Sequence, residues 1–249
     1  MFHGIYTVDI HSHCGPHSEY QVRAYDGDGI VHNLDLLGID VTCLSSSPAA
    51  HGDYGFGNGL TMKATAKYPD RIKGYLTVTP HYPEFDVDSY FGEGTGFIGI
   101  KIIAMLQQVE INDHRYDPFY EYADRHGLPI LFHAWTPAET KQTAEIAARY
   151  PNTRCIFGHS GFTYDESKQA AIEACRKLDN IILDTTLSTT YDGALEWLVD
   201  KVGADRVAYG SDMVAFECAQ TLGRIYMSKL SDWDKEKILG LNAKEFLHL

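Results

Sequence analysis

The sequence is short of basic residues and has no long apolar run, and both features exclude classes of partner. Its 21 lysines and arginines are outnumbered by 34 acidic residues, which gives a formal net charge of −13 with neutral histidines. Such a chain repels polyanions, so we expect no nucleic acid and no anionic membrane surface as its partner. Its apolar runs are also shorter than the roughly 20 residues of a membrane-spanning helix. The expected partner is a small molecule, and the sequence leaves a homo-oligomer open.

Cysteine is scarce, and its distribution argues against a secreted, disulfide-linked protein. The five cysteines are an odd number without C-x-x-C spacing, which is typical of reduced thiols. The first residues, MFHGIYTVDI, lack the basic region and the cleavage site of a secretion signal. We therefore expect a cytoplasmic protein. Cys14 lies beside the candidate site described below, and we interpret it as a small residue near a turn, with a catalytic role as the alternative.

Short apolar runs of strand type alternate with stretches long enough for amphipathic helices. There are eight such runs, at residues 4–10, 38–45, 72–80, 97–103, 128–134, 153–159, 180–185 and 206–211. The alternation predicts an α/β fold with a parallel sheet, and the absence of a linker or repeat favours a single domain over residues 1–249. We expect a compact (β/α)8 TIM barrel with few insertions, and an open doubly wound sheet is the alternative.

The helical pattern is clearest in three of the intervening stretches. Apolar residues keep helical spacing in residues 118–127, 137–151 and 191–203, and the first and last of these stretches end in glycine. Residues 81–95 are short and polar instead. We expect the crossover in that segment to be brief or irregular.

Two histidines lie one residue apart in the stretch TVDIHSHCGPH, residues 7–17. Because residues i and i+2 of a strand face the same side, His11 and His13 can reach one ion together. Asp9 shares that face one layer deeper, either as a partner of the histidines or as a satisfied core acid. On its own the pair does not decide between a metal site and a chance pairing.

Further ligand-type and base-type side chains lie at the ends of later strands. In a barrel of parallel strands these ends form one mouth, so the residues are expected to converge there. They are Lys101, His133, His159 and Asp212. Imidazole nitrogens with a carboxylate suit zinc, and other first-row ions are alternatives. The sequence therefore predicts a divalent metal site.

In these motifs the chain resembles the amidohydrolase superfamily, and within it the second family of amidohydrolase-related hydrolases and decarboxylases. The resemblance runs through VDIHSH, GFIGIKI, HGLPILFHA, IFGHSG, ILDTT and YGSDM. It implies that His11, His13, His133 and Asp212 ligate a divalent metal. It also implies that His159 positions a metal-bound water or joins a second ion. Zinc is the expected metal, with manganese, iron or nickel as alternatives.

We expect a metal-dependent hydrolase that cleaves a C–N or C–O bond, with Asp212 as the general base and acid. Non-oxidative decarboxylation of a small carboxylic acid is the alternative, and a barrel that only binds its ligand is a weaker one. The resemblance also leaves open whether Lys101 is carboxylated and bridges two ions, or remains an amine beside one ion. We favour one ion. Two related families open with a similar His-x-His, but the nuclease relatives carry glutamate on the fourth strand, where this chain has Lys101.

Loop residues at the predicted mouth are candidates for binding the substrate. Arg23 would suit a carboxylate there, although a solvated loop arginine is the alternative. The other candidates are Lys101, His17 and Phe216, with His51 and Tyr54 nearby in the loops. The substrate itself does not follow from the sequence.

Overall fold

The fold was analysed in a computed structural model that describes residues 4–17, 19, 21–23, 25–82, 85–161, 164–187 and 191–249. Its eight strands form one parallel sheet in the order β1 to β8. The strands are β1 Val8–Cys14, β2 Val41–Ser46, β3 Ile72–Thr77, β4 Phe97–Ile102, β5 Pro129–His133, β6 Arg154–Gly158, β7 Ile181–Asp184 and β8 Val207–Ala208.

Backbone hydrogen bonds bring the first and last strands together. The amide of Ile10 donates to the carbonyl oxygen of Tyr209 (2.9 Å), and the amide of Ser211 donates to that of His11 (3.2 Å). Ser12 and Met213 form a parallel bridge just beyond the end of β8. The eight strands therefore form a nearly closed barrel, which confirms the predicted (β/α)8 fold.

Helices follow the strands on the outside of the barrel. The α-helices are α1 Gly27–Leu37, α2 Ser47–Ala50, α3 Tyr54–Lys67, α4 Ala104–Gln107, α5 Asp117–His126, α6 Pro137–Arg149, α7 Asp165–Lys177, α8 Ala194–Val202, α9 Cys218–Met227, α10 Asp232–Glu236 and α11 Asn242–Leu247. Short 3-10 turns cover Asp88–Tyr90, His114–Tyr116, His159–Gly161 and Ala204–Arg206, and a π-helical turn covers Lys237–Leu241.

The three helices predicted most clearly are α5, α6 and α8. Gly127 ends α5 in the left-handed conformation (φ 61°), which glycine adopts without steric cost. Helix α6 begins at a capping box built from Thr136 and Glu139. Between β3 and β4, the described residues contain a single helical turn, Asp88–Tyr90, so the expected irregular crossover is confirmed. Residues 83 and 84 of that segment lie outside the described residues.

The inside of the barrel changes from apolar to polar along the strands. Its deeper layer contains Tyr75, Leu131, Ile156 and Ile182, which belong to one buried cluster. Every second side chain of a strand points to the same face. The residues two positions after Tyr75, Leu131 and Ile182 therefore also face the inside of the barrel, and they are polar. They are Thr77, His133 and Asp184. The fold thus collects polar side chains at the carboxyl ends of the strands.

All five cysteines are buried as free thiols. Cys14 faces the helices and contacts the hydroxyl of Thr61 (3.4 Å), and burial raises the pKa of its thiol to about 11. Its geometry therefore favours the packing role over the catalytic one. Among the described residues, no helix has the length and apolar character needed to cross a membrane.

Replacing Gly99 by alanine should destabilise the barrel just below Lys101. A β-carbon on Gly99 would overlap the carbonyl oxygen of Pro129 and lie 2.7 Å from its Cγ. We expect a loss of about 2 kcal/mol in unfolding free energy, which lowers the melting temperature by about 5 °C in calorimetry. As the control, Gly59→Ala in α3 meets nothing within 4 Å and should melt at or slightly above the wild-type temperature. Equal melting of Gly99→Ala and wild type would contradict this packing account.

Candidate metal centre

The two histidines of the His-x-His motif lie within β1 and share one face of it, as their spacing predicts. The strand continues to Cys14, because it pairs with β2 as far as Cys14 and Ser46, and on its other side the amide of His13 donates to the carbonyl of Met213. The apolar run that marked this strand stops at Ile10, before the strand itself ends. His11 is fully buried.

The five predicted metal ligands converge at the barrel mouth. The most compact group is His11, His159 and Asp212, whose donor atoms all lie within 4.8 Å of one another. His13 adjoins this group, since its Nε2 lies 2.9 Å from Asp212 Oδ1. His133 adjoins it from the other side, with its ring centre 4.8 Å from that of His159. The resemblance placed His159 at the edge of the set, whereas the structure places it in the central group.

The side chains present fit a divalent cation. Two imidazoles and a carboxylate, with two more imidazoles beside them, are the donor types that first-row metals prefer. Within the described part of the chain, the Nδ1 atom of His159 is buried and has no hydrogen-bond partner. Because an unpaired buried polar atom is costly, this nitrogen points to a group that completes the site.

The charges at the centre also suit metal binding. Burial lowers the pKa of His11 well below its usual value, and the nearby Lys101 lowers it further. Burial and the neighbouring His133 lower the pKa of His159 in the same way. Burial alone would raise the pKa of Asp212, but the hydrogen bond from His13 and the surrounding imidazoles hold it well below its usual value. At neutral pH the group therefore presents neutral imidazoles and an ionised carboxylate.

Asp184, at the end of β7, supports two of the three central residues. Its Oδ2 accepts a hydrogen bond from Nδ1 of His11 (2.6 Å), and its Oδ1 accepts one from the backbone amide of His159 (2.7 Å). The amide and the hydroxyl of Thr186 donate to the same carboxylate. With Nδ1 of His11 acting as the donor, its Nε2 carries no proton and faces the centre.

Lys101 is buried on the inner face of β4. Its Nζ lies 3.0 Å from Nε2 of His11 and donates to it. Burial lowers the pKa of Lys101 to about 8, while the negative charges of Asp212 and Asp184 oppose this shift. An amine with a lowered pKa is compatible with both sequence-based alternatives, a free amine and a carbamate. The choice between them stays a prediction.

Asp9 lies one layer below the histidines, as expected. Its Oδ1 accepts from the backbone amides of His11 (3.1 Å) and Ser211 (3.0 Å), and its Oδ2 accepts from the Ser211 hydroxyl (2.5 Å). Burial raises its pKa to about 7 against these hydrogen bonds. Asp9 thus joins β1 to the segment that carries Asp212. These contacts fit the satisfied core acid, because they reach the backbone of His11 and the residue Ser211 rather than an imidazole.

Two of the central residues have an uncommon backbone conformation. His159 (φ 67°) and Asp212 (φ 62°) both adopt positive φ, which costs a residue with a β-carbon roughly 1 kcal/mol or more. Oδ1 of Asp184 accepts a hydrogen bond from the amide of His159 (2.7 Å), and the carbonyl of His11 accepts one from the amide of Asp212 (2.8 Å). These bonds keep both side chains directed toward the centre.

A cavity of about 210 Å³ opens above this centre. Of the residues predicted to bind substrate, Lys101, His17 and Phe216 line it, and so does His51. Arg23 does not line it. This exposed residue lies in a neighbouring crevice on the far side of Phe216, and its substrate-binding role stays a prediction. Tyr54 faces a separate depression with Tyr82.

The structure adds two residues that the sequence analysis did not select. Trp135 lines the cavity, and its ring stacks on that of His133 at 5.4 Å between ring centres. Glu139 lies beneath this pair, with Oε1 3.4 Å from Nδ1 of His133. The sequence contains a pattern that could have identified each of these two residues. Trp135 follows His133 by two residues, and Glu139 completes the T-x-x-E pattern of a capping box.

The chain is similar to one protein family and to several solved structures. A model of the amidohydrolase family matches residues 52–249. Similar solved structures include 2,6-dihydroxybenzoate decarboxylase from Rhizobium, with 16% identity, a TM-score of 0.76 and 98% of each chain covered. At identities this low, structural likeness establishes the fold and leaves the reaction open.

Two further structures have similar scores. One is 5-carboxyvanillate decarboxylase from Novosphingobium aromaticivorans, in complex with manganese and 4-hydroxy-3-methoxy-5-nitrobenzoic acid. It has 17% identity and a TM-score of 0.76, with 99% of this chain and 97% of that chain covered. The other is 4-oxalomesaconate hydratase from Rhodopseudomonas palustris, with 17% identity, a TM-score of 0.70, and coverage of 97% and 95%.

Replacing Asp184 by asparagine should lower the stability of the protein and weaken metal binding at the centre. Either orientation of the amide places its NH2 group against a donor, either Nδ1 of His11 or the amides of His159 and Thr186. We expect about 2 kcal/mol lower stability and roughly 10- to 100-fold weaker binding of manganese or zinc. Thermal unfolding and competition with a chromophoric chelator measure the two effects. Asp192→Asn, on the exposed surface, is the control, and unchanged metal binding in Asp184→Asn would exclude the supporting role.

Proposed function

The chain belongs to the amidohydrolase family of enzymes, and we propose that it catalyses non-oxidative decarboxylation of a small aromatic carboxylic acid with the help of a divalent metal. The observation that carries the proposal is the composition of the cavity. It places the flat ring of Trp135 beside the His11, His159 and Asp212 group, with the amine of Lys101 on its floor. An aromatic ring and its carboxylate would each find a matching surface there.

The structural neighbours support this choice of reaction. Two of those described above are decarboxylases that are named after aromatic carboxylic acids, and the third is a hydratase. The sequence-based preference was hydrolysis, and decarboxylation was its alternative. The comparisons favour the alternative.

We propose that one divalent ion is held at the group of His11, His159 and Asp212, with His13 and His133, which adjoin that group, as further ligands. Bound there, the ion would act as a Lewis acid that orients and polarises the oxygens of the substrate. Manganese is present in one neighbouring decarboxylase, and zinc agrees with the donor types.

The protein's own residues would bind and orient the substrate. The ring of Trp135 is held parallel to that of His133, with 5° between the planes, so it offers a fixed flat surface to an aromatic ring. Lys101 offers a compact point charge to the carboxylate. The cavity volume of about 210 Å³ leaves room for a single small ring and little water.

Asp212 would move the proton. In decarboxylation a proton is added to the ring carbon that bears the carboxylate. The bond between that carbon and the carboxylate then breaks, CO2 leaves, and the electron pair of the broken bond restores the ring. The carboxyl group of Asp212 lies in the cavity at the centre and is ionised at neutral pH, so it would first take up a proton and then deliver it to this carbon. Each turnover consumes one proton, which the solvent supplies through the open mouth.

We also propose a cytoplasmic location. Its support is the odd number and scattered spacing of the five cysteines, which is typical of proteins from reducing compartments.

Full-length protein loaded with manganese should release CO2 from at least one member of a panel of hydroxylated benzoates. His11→Asn should lose both the metal and this activity, while His32→Ala, which is exposed on α1, should retain both. Elemental analysis and a coupled CO2 assay are the measurements, and we expect one ion per chain.

Turnover of lactones, esters or amides without CO2 release from any acid would replace this proposal with hydrolysis. Two ions, lost in Lys101→Ala, would favour the carbamate.

The role of Trp135 can be tested with the substrate found in that panel. Trp135→Leu removes the flat surface and keeps an apolar side chain, so we expect KM for an aromatic acid to rise about 10-fold, the equivalent of one stacking contact. Steady-state kinetics measure this change. Leu106→Ala, at another position of the cavity lining, is the comparison, and equal effects of the two substitutions would argue against stacking.

A further inference from the structure

We propose that Glu139 is a positioning residue for His133, and that it fixes the tautomer in which Nε2 of His133 is free of a proton. The inference rests on the proposed function in so far as that function uses His133 beside a metal. The contact itself is a property of the fold. Glu139 lies at the third position of α6, is only 8% exposed, and reaches back to the end of β5.

The two carboxylate oxygens of Glu139 have different partners. Oε2 accepts hydrogen bonds from the backbone amides of Trp135 (3.3 Å) and Thr136 (3.0 Å) and from the Thr136 hydroxyl (3.1 Å). These contacts belong to the start of the helix and form its capping box. Oε1 is directed at His133 Nδ1 (3.4 Å). The capping box needs one oxygen, and the other is available to the histidine.

An ionised carboxylate accepts hydrogen bonds and donates none. Oε2 of Glu139 already accepts from three donors at the start of α6, as an ionised carboxylate does. Nδ1 of His133 must therefore carry the proton that faces Oε1. In a neutral imidazole the other nitrogen is then an acceptor. His133 lines the cavity, so its Nε2 is available to a metal or to the substrate.

The surroundings of His133 restrict its ring but do not choose its tautomer. Trp135 stacks on one face, and the ring of His159 approaches at 68° between the planes. These contacts limit rotation of the imidazole. Within the described part of the chain, the hydrogen bond to Glu139 is the contact that requires a proton on Nδ1 of this ring. The same carboxylate thus joins the start of α6 to the centre.

Glu139→Gln separates the two tasks of the side chain. The three donors at the capping box require an oxygen, so the amide should turn its oxygen to them and its NH2 group toward His133. Nδ1 would then have to accept, and the proton would move to Nε2. We expect the helix and the melting temperature to be nearly unchanged, while the affinity for manganese or zinc falls about 10- to 100-fold.

Thr136→Ala is the matched variant. It removes the threonine hydroxyl from the capping box and leaves Glu139 in place, so it should lower the melting temperature by a few degrees and preserve the His133 tautomer. The tautomer is read from ring ¹⁵N chemical shifts of histidine-labelled, full-length, metal-free protein, with His133→Asn to assign the signals. Metal affinity is measured by chelator competition, and activity is not needed for either readout.

Protonated Nδ1 in wild type and Thr136→Ala, with protonated Nε2 in Glu139→Gln, would support the proposal. The same tautomer in Glu139→Gln and wild type would overturn it, as would an equal loss of affinity in Thr136→Ala. A change of tautomer without a change in affinity would also contradict it. If wild type binds no divalent metal, the proposed function fails, and the ¹⁵N shifts alone decide whether Glu139 positions His133.

Discussion

The carboxylate of Asp184 is the contact on which the geometry of the centre depends. It accepts hydrogen bonds from the side chain of His11 and from the backbone amide of His159. One carboxylate therefore fixes the position of β1 relative to the end of β6. Burial raises the pKa of Asp184, and the hydrogen bonds from Thr186 and His159 oppose that shift. A buried acid is costly unless its oxygens are satisfied, and here each oxygen accepts at least two donors. The hydrogen bonds that offset the cost of burying this carboxylate are therefore the same ones that position His11 and His159.

Much of the fold could be predicted from the sequence because two patterns are clear: the short apolar runs of the strands and the helical spacing of apolar residues between them. Short apolar runs mark all eight strands. Because parallel strands end at one mouth, the sequence also predicts that His133, His159 and Asp212 lie close together. The interior of the barrel obeys the same alternation. Residues such as Leu131 point inward below His133 because they precede it by two positions.

Other features depend on contacts that no local pattern encodes. Arg23 was expected at the mouth because its loop follows β1, but the path of that loop places it behind Phe216. Asp184 lies at the end of the seventh apolar run, but the sequence does not indicate that it binds both the side chain of His11 and the backbone of His159. In both cases the sequence supplied the residue type. The direction of the side chain came from packing between distant segments.

The contact between Asp9 and Ser211 joins residues that are 202 positions apart. Because the centre lies directly above this contact, its donors come together only when the two ends of the barrel meet. In a partly folded chain whose last βα unit is not yet in place, Asp212 is absent from the centre, and β1 pairs with β2 but not with β8. The centre thus forms only in the closed barrel, and a bound metal would stabilise the closed barrel and not its incomplete forms.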